Sequence, residues 1–189
     1  RFPHRVLNSS GEDSATKNYA VNQTDALWLL FLSDSVEVID PEWLTIMAEH
    51  VQRPEVGAVG ARLLSPEGTI EHAGIVVAMN GTAQPAFRGF PAEHPGANRQ
   101  LQVTRNCSAV SSACLLTRRD VFQQVGGFDE SLSGALADVD LCLKMRRAGY
   151  LIVYPHFEKL CGHEQQPDRI DTSGRATERQ RGADVCPRA

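Results

Sequence analysis

An α/β domain built on a mixed sheet is the architecture this sequence predicts, on three observations. Helical patterns and apolar runs alternate along the chain, as they do where helices cover a sheet. Residues 26–32 are seven consecutive apolar residues bounded by polar ones, the pattern of a strand buried on both faces. The segment after Asp40 carries both start and stop signals for a helix. A length of 189 residues fits one domain able to bury roughly 70% of its unfolded surface.

Charge narrows the function classes. Nineteen Lys and Arg against 23 Asp and Glu give a net charge of −4 and a pI near 5.9, so there is no basic footprint for nucleic acid and no basic block for anionic lipid. The longest apolar run is far short of the ~20 residues of a membrane helix, and the amino end does not read as a signal peptide. The chain opens at Arg1 without a methionine and is read as a piece of a longer protein. Five cysteines, Cys107, Cys114, Cys142, Cys161 and Cys186, are odd in number, irregularly spaced and without a Cys-x-x-Cys pair, which points to reduced thiols in a cytoplasmic protein.

Taken in order, residues 1–11 are polar and turn-rich. Residues 13–24 are expected as a short helix capped by Asp13 or Ser14, with Ala15 and Tyr19 on one face. After the strand at 26–32, Ser33-Asp34-Ser35 closes the run. Asp40 is the expected N-cap of the next helix, Pro41 its first residue, Trp43, Leu44, Met47 and Val51 its apolar spacing, and Pro54 its stop. Strands are expected over 56–64 and 69–79, joined by a turn at 65–68. Residues 80–100, rich in Gly and Pro, read as a long binding loop. A strand at 111–116, helices at 119–125 and 137–148, and strands at 150–154 and 157–160 complete the domain. From 165 to 189 the chain is almost devoid of apolar residues and reads as a polar tail.

Ligands of open α/β sheets bind beyond the carboxyl ends of strands, which singles out Asp34. A carboxylate there holds a divalent cation or a ribose hydroxyl, or merely caps the turn that follows. Asp138 and Asp140 fall at a helix start, where acids complement the helix dipole as well as serve catalysis. His163-Glu164 is either a surface pair or part of a metal site.

The order of these segments is more informative than any one of them. Ser33-Asp34-Ser35 with the following Val-Glu-Val-Ile-Asp-Pro-Glu-Trp-Leu, Arg53-Pro-Glu-Val-Gly-Ala-Val-Gly-Ala61, Gly68-Thr-Ile-Glu-His-Ala-Gly74, Val125-Gly-Gly-Phe-Asp-Glu130 and Asp138-Val-Asp-Leu-Cys-Leu143 closely resemble the family-2 glycosyltransferases. These are inverting, nucleotide-sugar-dependent enzymes of the GT-A fold, and the likeness is strongest to the bacterial branch that adds rhamnose or related sugars to surface polysaccharides. It runs from about residue 5 to 165.

The resemblance implies roles. Ser33-Asp34-Ser35 falls on the Asp-x-Asp motif that binds the ribose and, through Mn²⁺ or Mg²⁺, the diphosphate of the donor, with Asp34 and Ser35 as its binding residues. Asp138 falls on the general base, and His163 on a histidine that joins Asp34 at the metal. Segment 112–114 and the turn at Gly126-Gly127 match the acceptor side. The implied partners are a UDP- or dTDP-sugar and a saccharide or lipid-linked acceptor, in the cytoplasm or at the inner face of the membrane. Residues 1–164 then form the last two-thirds of a GT-A domain whose nucleotide-binding segment lies upstream. Two positions depart from the pattern. Ser35 stands where the metal-binding acid is usual, and its hydroxyl is a poor ligand for a hard cation. Glu37, the nearest other acid, alternates away from Asp34 on an extended chain. Ala137 precedes the base in place of Glu or Asn. The alternative is accordingly a degenerate or truncated homologue that binds a sugar or a partner without turnover.

Overall fold

A computed structural model describes residues 14–78, 82–156 and 159–162. Among the described residues, four α-helices flank a central sheet of five strands. Helix α1 (Ser14–Asn22) leads into β1 (Trp28–Leu32) and β2 (Val36–Val38). Helix α2 (Trp43–Val51) follows, then β3 (Val56–Gly60), β4 (Arg62–Leu64), β5 (Ile70–His72), β6 (Ile75–Val77), β7 (Ala83–Pro85) and β8 (Arg105–Asn106). The chain continues through β9 (Cys114–Arg118), the short α3 (Arg119–Gln124), α4 (Ala135–Arg147), β10 (Leu151–Tyr154) and β11 (Lys159–Gly162).

The predicted mixed sheet is present. Its strand order is β1-β9-β3-β10-β8, and a second sheet runs β2-β11-β4-β5. Among the described residues, only β3 with β10 and β4 with β11 are parallel; β9 lies antiparallel to both β1 and β3. The expected strands at 56–64 and 69–79 each divide in two. Ala61 marks where the first passes from one sheet to the other, and Gly74 separates the two halves of the second.

Alternation on the central strands sends side chains to opposite faces. Ala58, Leu115 and Ile152 join Val21, Phe122, Phe128, Leu141 and Met145 beneath α1, α3 and α4. Val59, Leu116 and Val153 join Met47 and Val51 beneath α2. The glycine-rich run of β3 permits this close approach: a Cβ at Gly60 would clash with the Val110 side chain. Phe31, Phe122 and Phe128 stack around one another with centroids 5.1 to 5.6 Å apart, an arrangement that adds to simple area burial.

Three expectations are corrected. Strand β1 is not buried on both faces. Leu29 is buried and Phe31 packs against the same core, but Trp28, Leu30 and Leu32 are exposed, because β1 pairs on one side only among the described residues and α2 lies over β3 and β9. Helix α1 turns Ser14 and Val21 inward and leaves Ala15 and Tyr19 exposed, the reverse of the expected face. Asp40 does not cap α2 itself; its Oδ1 accepts from the Glu42 N–H at 2.9 Å, a turn that precedes the helix. Among the described cysteines, Cys107, Cys114 and Cys142 are free thiols as expected.

The long loop is less irregular than its composition suggests. It holds β7 and a 3₁₀ turn, and the buried Arg62 anchors it by donating to the Tyr154 hydroxyl at 2.7 Å and to the carbonyls of Ala92 and Leu101.

Candidate functional site

A cleft of about 680 Å³ runs along β1 and α1 and ends at the first turn of α4. Its apolar flank is Leu29, Leu30 and Phe31. Its polar end carries Ser33, Ser111, Ser112, Lys17 and Asp138. Lys17 and Asp138 are the two charged residues among those that line it.

Local sequence explains why Asp138 sits there. Gly134 precedes α4 with φ +55° and ψ −136°, a conformation in which a side chain is strained, and it lets the chain turn directly into the helix. Asp138 falls in the first turn, where helix polarity favours a carboxylate. It is only 4% exposed. Its Oδ2 accepts from the Ser112 N–H at 2.9 Å and from Ser111 Oγ at 3.3 Å. Its Oδ1 is buried and has no hydrogen-bond partner among the described residues. Asp140 takes no part: it pairs with Lys144 at 2.7 Å.

Segment 111–113 ties this carboxylate to the end of β1, since the Ser33 N–H donates to the Ala113 carbonyl at 2.9 Å. Asp34 and Ser35 occupy the turn just beyond, outside the cleft lining. Asp34 is exposed, and Ser35 Oγ is engaged with Ser33 Oγ at 2.9 Å. Glu37 is exposed on β2. His163 lies outside the described residues. Among those described, no group of three His, Cys, Asp or Glu side chains gathers as a metal would require. Asp34 alone contributes a carboxylate at this turn, so the described donor set does not fit a resident divalent cation.

The residues expected on the acceptor side fall in different places. Ser112 and Ala113 line the cleft, but Cys114 turns the other way, with its thiol 4.0 Å from Met47 Sδ. The turn at Gly126 and Gly127 borders a separate hollow on the far side of α1. Sequence reasoning passed over Lys17. Its ammonium donates to Ser112 Oγ at 2.8 Å and stands 5.2 Å from the centre of the Phe128 ring. The spacing of Ser14, Lys17, Asn18 and Val21, which share one helical face, is the signal that would have pointed to it.

Residues 7–182 match the model of a family described as "Glycosyltransferase like family". The chain belongs to that family. Within it, the chain is 43% identical over 164 residues to the uncharacterized protein y4gI of Sinorhizobium fredii, covering 82% of this chain and 18% of that one. It is 43% identical over 159 residues to the O-antigen biosynthesis protein RfbC of Myxococcus xanthus, covering 83% and 12%. Identity is 30% over 186 residues to the N-acetylglucosaminyl-diphospho-decaprenol L-rhamnosyltransferase of Mycobacterium tuberculosis, covering 87% and 60%. The chain thus spans between an eighth and three-fifths of the length of these relatives.

Two solved glycosyltransferases share the fold. GalNAc-T7, solved with UDP, GalNAc and Mn²⁺, superposes with a TM-score of 0.61 at 11% identity over 79% of this chain and 30% of that one. The mannosyltransferase PcManGT of Pyrobaculum calidifontis, in complex with GDP-Man and Mn²⁺, gives 0.55 at 15% identity over 85% and 38%. The fold of this family member is therefore that of the GT-A glycosyltransferases.

Proposed function

We propose that this chain carries the base-bearing part of an enzyme that transfers a sugar, with inversion, from a UDP- or dTDP-sugar to a hydroxyl of a saccharide or lipid-linked acceptor during surface polysaccharide synthesis. The observation that carries the reading is the Asp138 carboxylate, held by Oδ2 and left unpaired at Oδ1 at the end of a cleft. The relatives named for O-antigen synthesis and rhamnosyl transfer support the acceptor class.

Proton transfer to a fixed carboxylate suits the chemistry. The acceptor oxygen attacks the anomeric carbon while its proton passes to Asp138 Oδ1, and the nucleoside diphosphate departs from the opposite face. Oδ2 stays bound to Ser111 and Ser112, so the carboxylate does not rotate as it gains the proton. Donor recognition falls to the turn at Asp34 and Ser35, with Asp34 on the ribose. Because Ser35 offers a hydroxyl where an acid would bind a hard cation, Mn²⁺ or Mg²⁺ adds little to donor affinity unless His163 or another segment supplies ligands.

The exposed flank of β1 supports a further part of the proposal. Strands from elsewhere in a longer polypeptide pair with its free edge and bring the contacts to the nucleotide base. Residues 1–164 are then part of the catalytic domain and 165–189 a polar extension, in a protein working in the cytoplasm or at the inner membrane face. Among the described residues no helix is long and apolar enough to cross a membrane. Ser35 and Ala137 favour a second reading, a homologue that binds without turnover.

Calorimetric titration of UDP- and dTDP-sugars into the protein, with and without Mn²⁺, tests the donor assignment. A weak saturable heat with one nucleotide, little altered by Mn²⁺, is expected. Absence of heat with both, at millimolar donor, contradicts it.

A further inference from the structure

We infer that Lys17 is a positioning residue for Asp138, acting through Ser112; the inference rests on the reading of Asp138 as the base. Nothing in the motifs of the chain marks this lysine. Its placement comes from α1, whose inward face is clamped at three points: Ser14 Oγ donates to the Leu132 carbonyl at 2.8 Å, Asn18 bonds both the N–H and the carbonyl of Phe128 at 3.0 and 2.9 Å, and Val21 is buried in the core. A helix so fixed presents Lys17 to Ser112 without freedom to swing away.

The link to Asp138 is two bonds long. Lys17 Nζ donates to Ser112 Oγ at 2.8 Å, and the Ser112 N–H donates to Asp138 Oδ2 at 2.9 Å. The ammonium draws Ser112 toward α1 and keeps its N–H aimed at the carboxylate. Few other groups compete for this influence. Asp138 meets hydroxyls and an N–H from segment 111–112. From its own helix it faces the Cys142 thiol, which burial keeps protonated, while Asp140 is neutralised by Lys144. The cleft lining brings the Ser33 hydroxyl from the end of β1.

The test reads Asp138 directly. Carbon-13 NMR of the aspartate carboxyls at neutral pH, with Asp138 assigned by its Asn variant, follows its chemical shift in the wild-type chain, in Lys17→Met and in Lys17→Arg. In Lys17→Met the Asp138 resonance is expected to move away from its wild-type position while the resonances of the other aspartates stay in place. Lys17→Arg, which restores the charge and the donor, is expected to bring it back. A resonance unmoved in Lys17→Met, or not restored in Lys17→Arg, overturns the inference. Ser112→Ala breaks the same link without touching the lysine and moves the Asp138 resonance by a smaller amount; it carries the test if Lys17→Met does not fold. Because the spectrum needs neither donor nor turnover, its failure is distinct from failure of the transferase reading.

Discussion

Asp138 and His72 are both buried polar residues left one hydrogen bond short, and the two differ in consequence. Asp138 lines the cleft, where an incoming hydroxyl can supply what Oδ1 lacks. His72 is part of the structural core: its Nδ1 accepts from the Gly74 N–H at 3.2 Å, and its Nε2 has no partner among the described residues. Burial, aided by the nearby Arg105 charge, pushes its pKa down to about 4. The unfolded chain binds this proton below its ordinary value of 6.5, while the folded chain resists it until about pH 4. Stability is therefore full above the unfolded value and falls as pH drops from about 6.5 towards 4, by up to about 3 kcal/mol. His72→Asn keeps an acceptor for Gly74 and removes the titration, so urea unfolding at pH 4.5 and 7.5 should show a smaller loss in the variant. An equal loss in both proteins would assign the pH dependence elsewhere.

Legibility of the elements in the sequence followed how local their determinants are. Helix α4 and the base candidate within it are written locally, by a glycine before the helix, an acid in its first turn and a small residue on each side. Helix α1 was expected in place but with the wrong face inward, because its orientation is set by polar bonds to Phe128 and Leu132 more than a hundred residues away, which no hydrophobic pattern records. A separation of 95 residues from Ser112 hid Lys17 in the same way. Strand β1 looked doubly buried because seven apolar residues carry no information on how many neighbours a strand has. Asn18 is the element-scale test. Its amide satisfies both backbone groups of Phe128 and reaches Glu130 at 3.0 Å, so Asn18→Ala leaves a half-buried N–H and carbonyl unpaired. That costs about 2 kcal/mol. Chemical unfolding showing a loss below about 0.5 kcal/mol, the range of neutral surface changes, would mean that α1 is held by Val21 and its apolar contacts instead.

Among the described residues, β1 stands at one edge of the central sheet and the short β8 at the other. At the β1 edge Trp28, Leu30 and Leu32 present apolar side chains at 37 to 44% exposure, beside backbone that pairs with no other strand among the described residues. Such an edge recruits another strand. The chain studied alone should therefore self-associate, and Leu30→Lys, which places a charge on that edge, should lower the association seen by light scattering while leaving unfolding free energy within about 0.5 kcal/mol. Unchanged association in the variant would show that another surface is responsible, such as the exposed Val38, Ile39 and Leu44 in and before α2. The β1 edge and the candidate base share one cleft.

Transfer of sugar from its nucleotide donor by the protein, compared between wild type and Asp138→Asn with donor affinity measured beside it, tests the account most directly. Removing the base should lower turnover by at least about 10²-fold and leave donor affinity within about threefold, a difference below 0.7 kcal/mol. Turnover that survives the substitution, or a donor affinity lost while turnover at saturation stays normal, would contradict the assignment of Asp138 as the base.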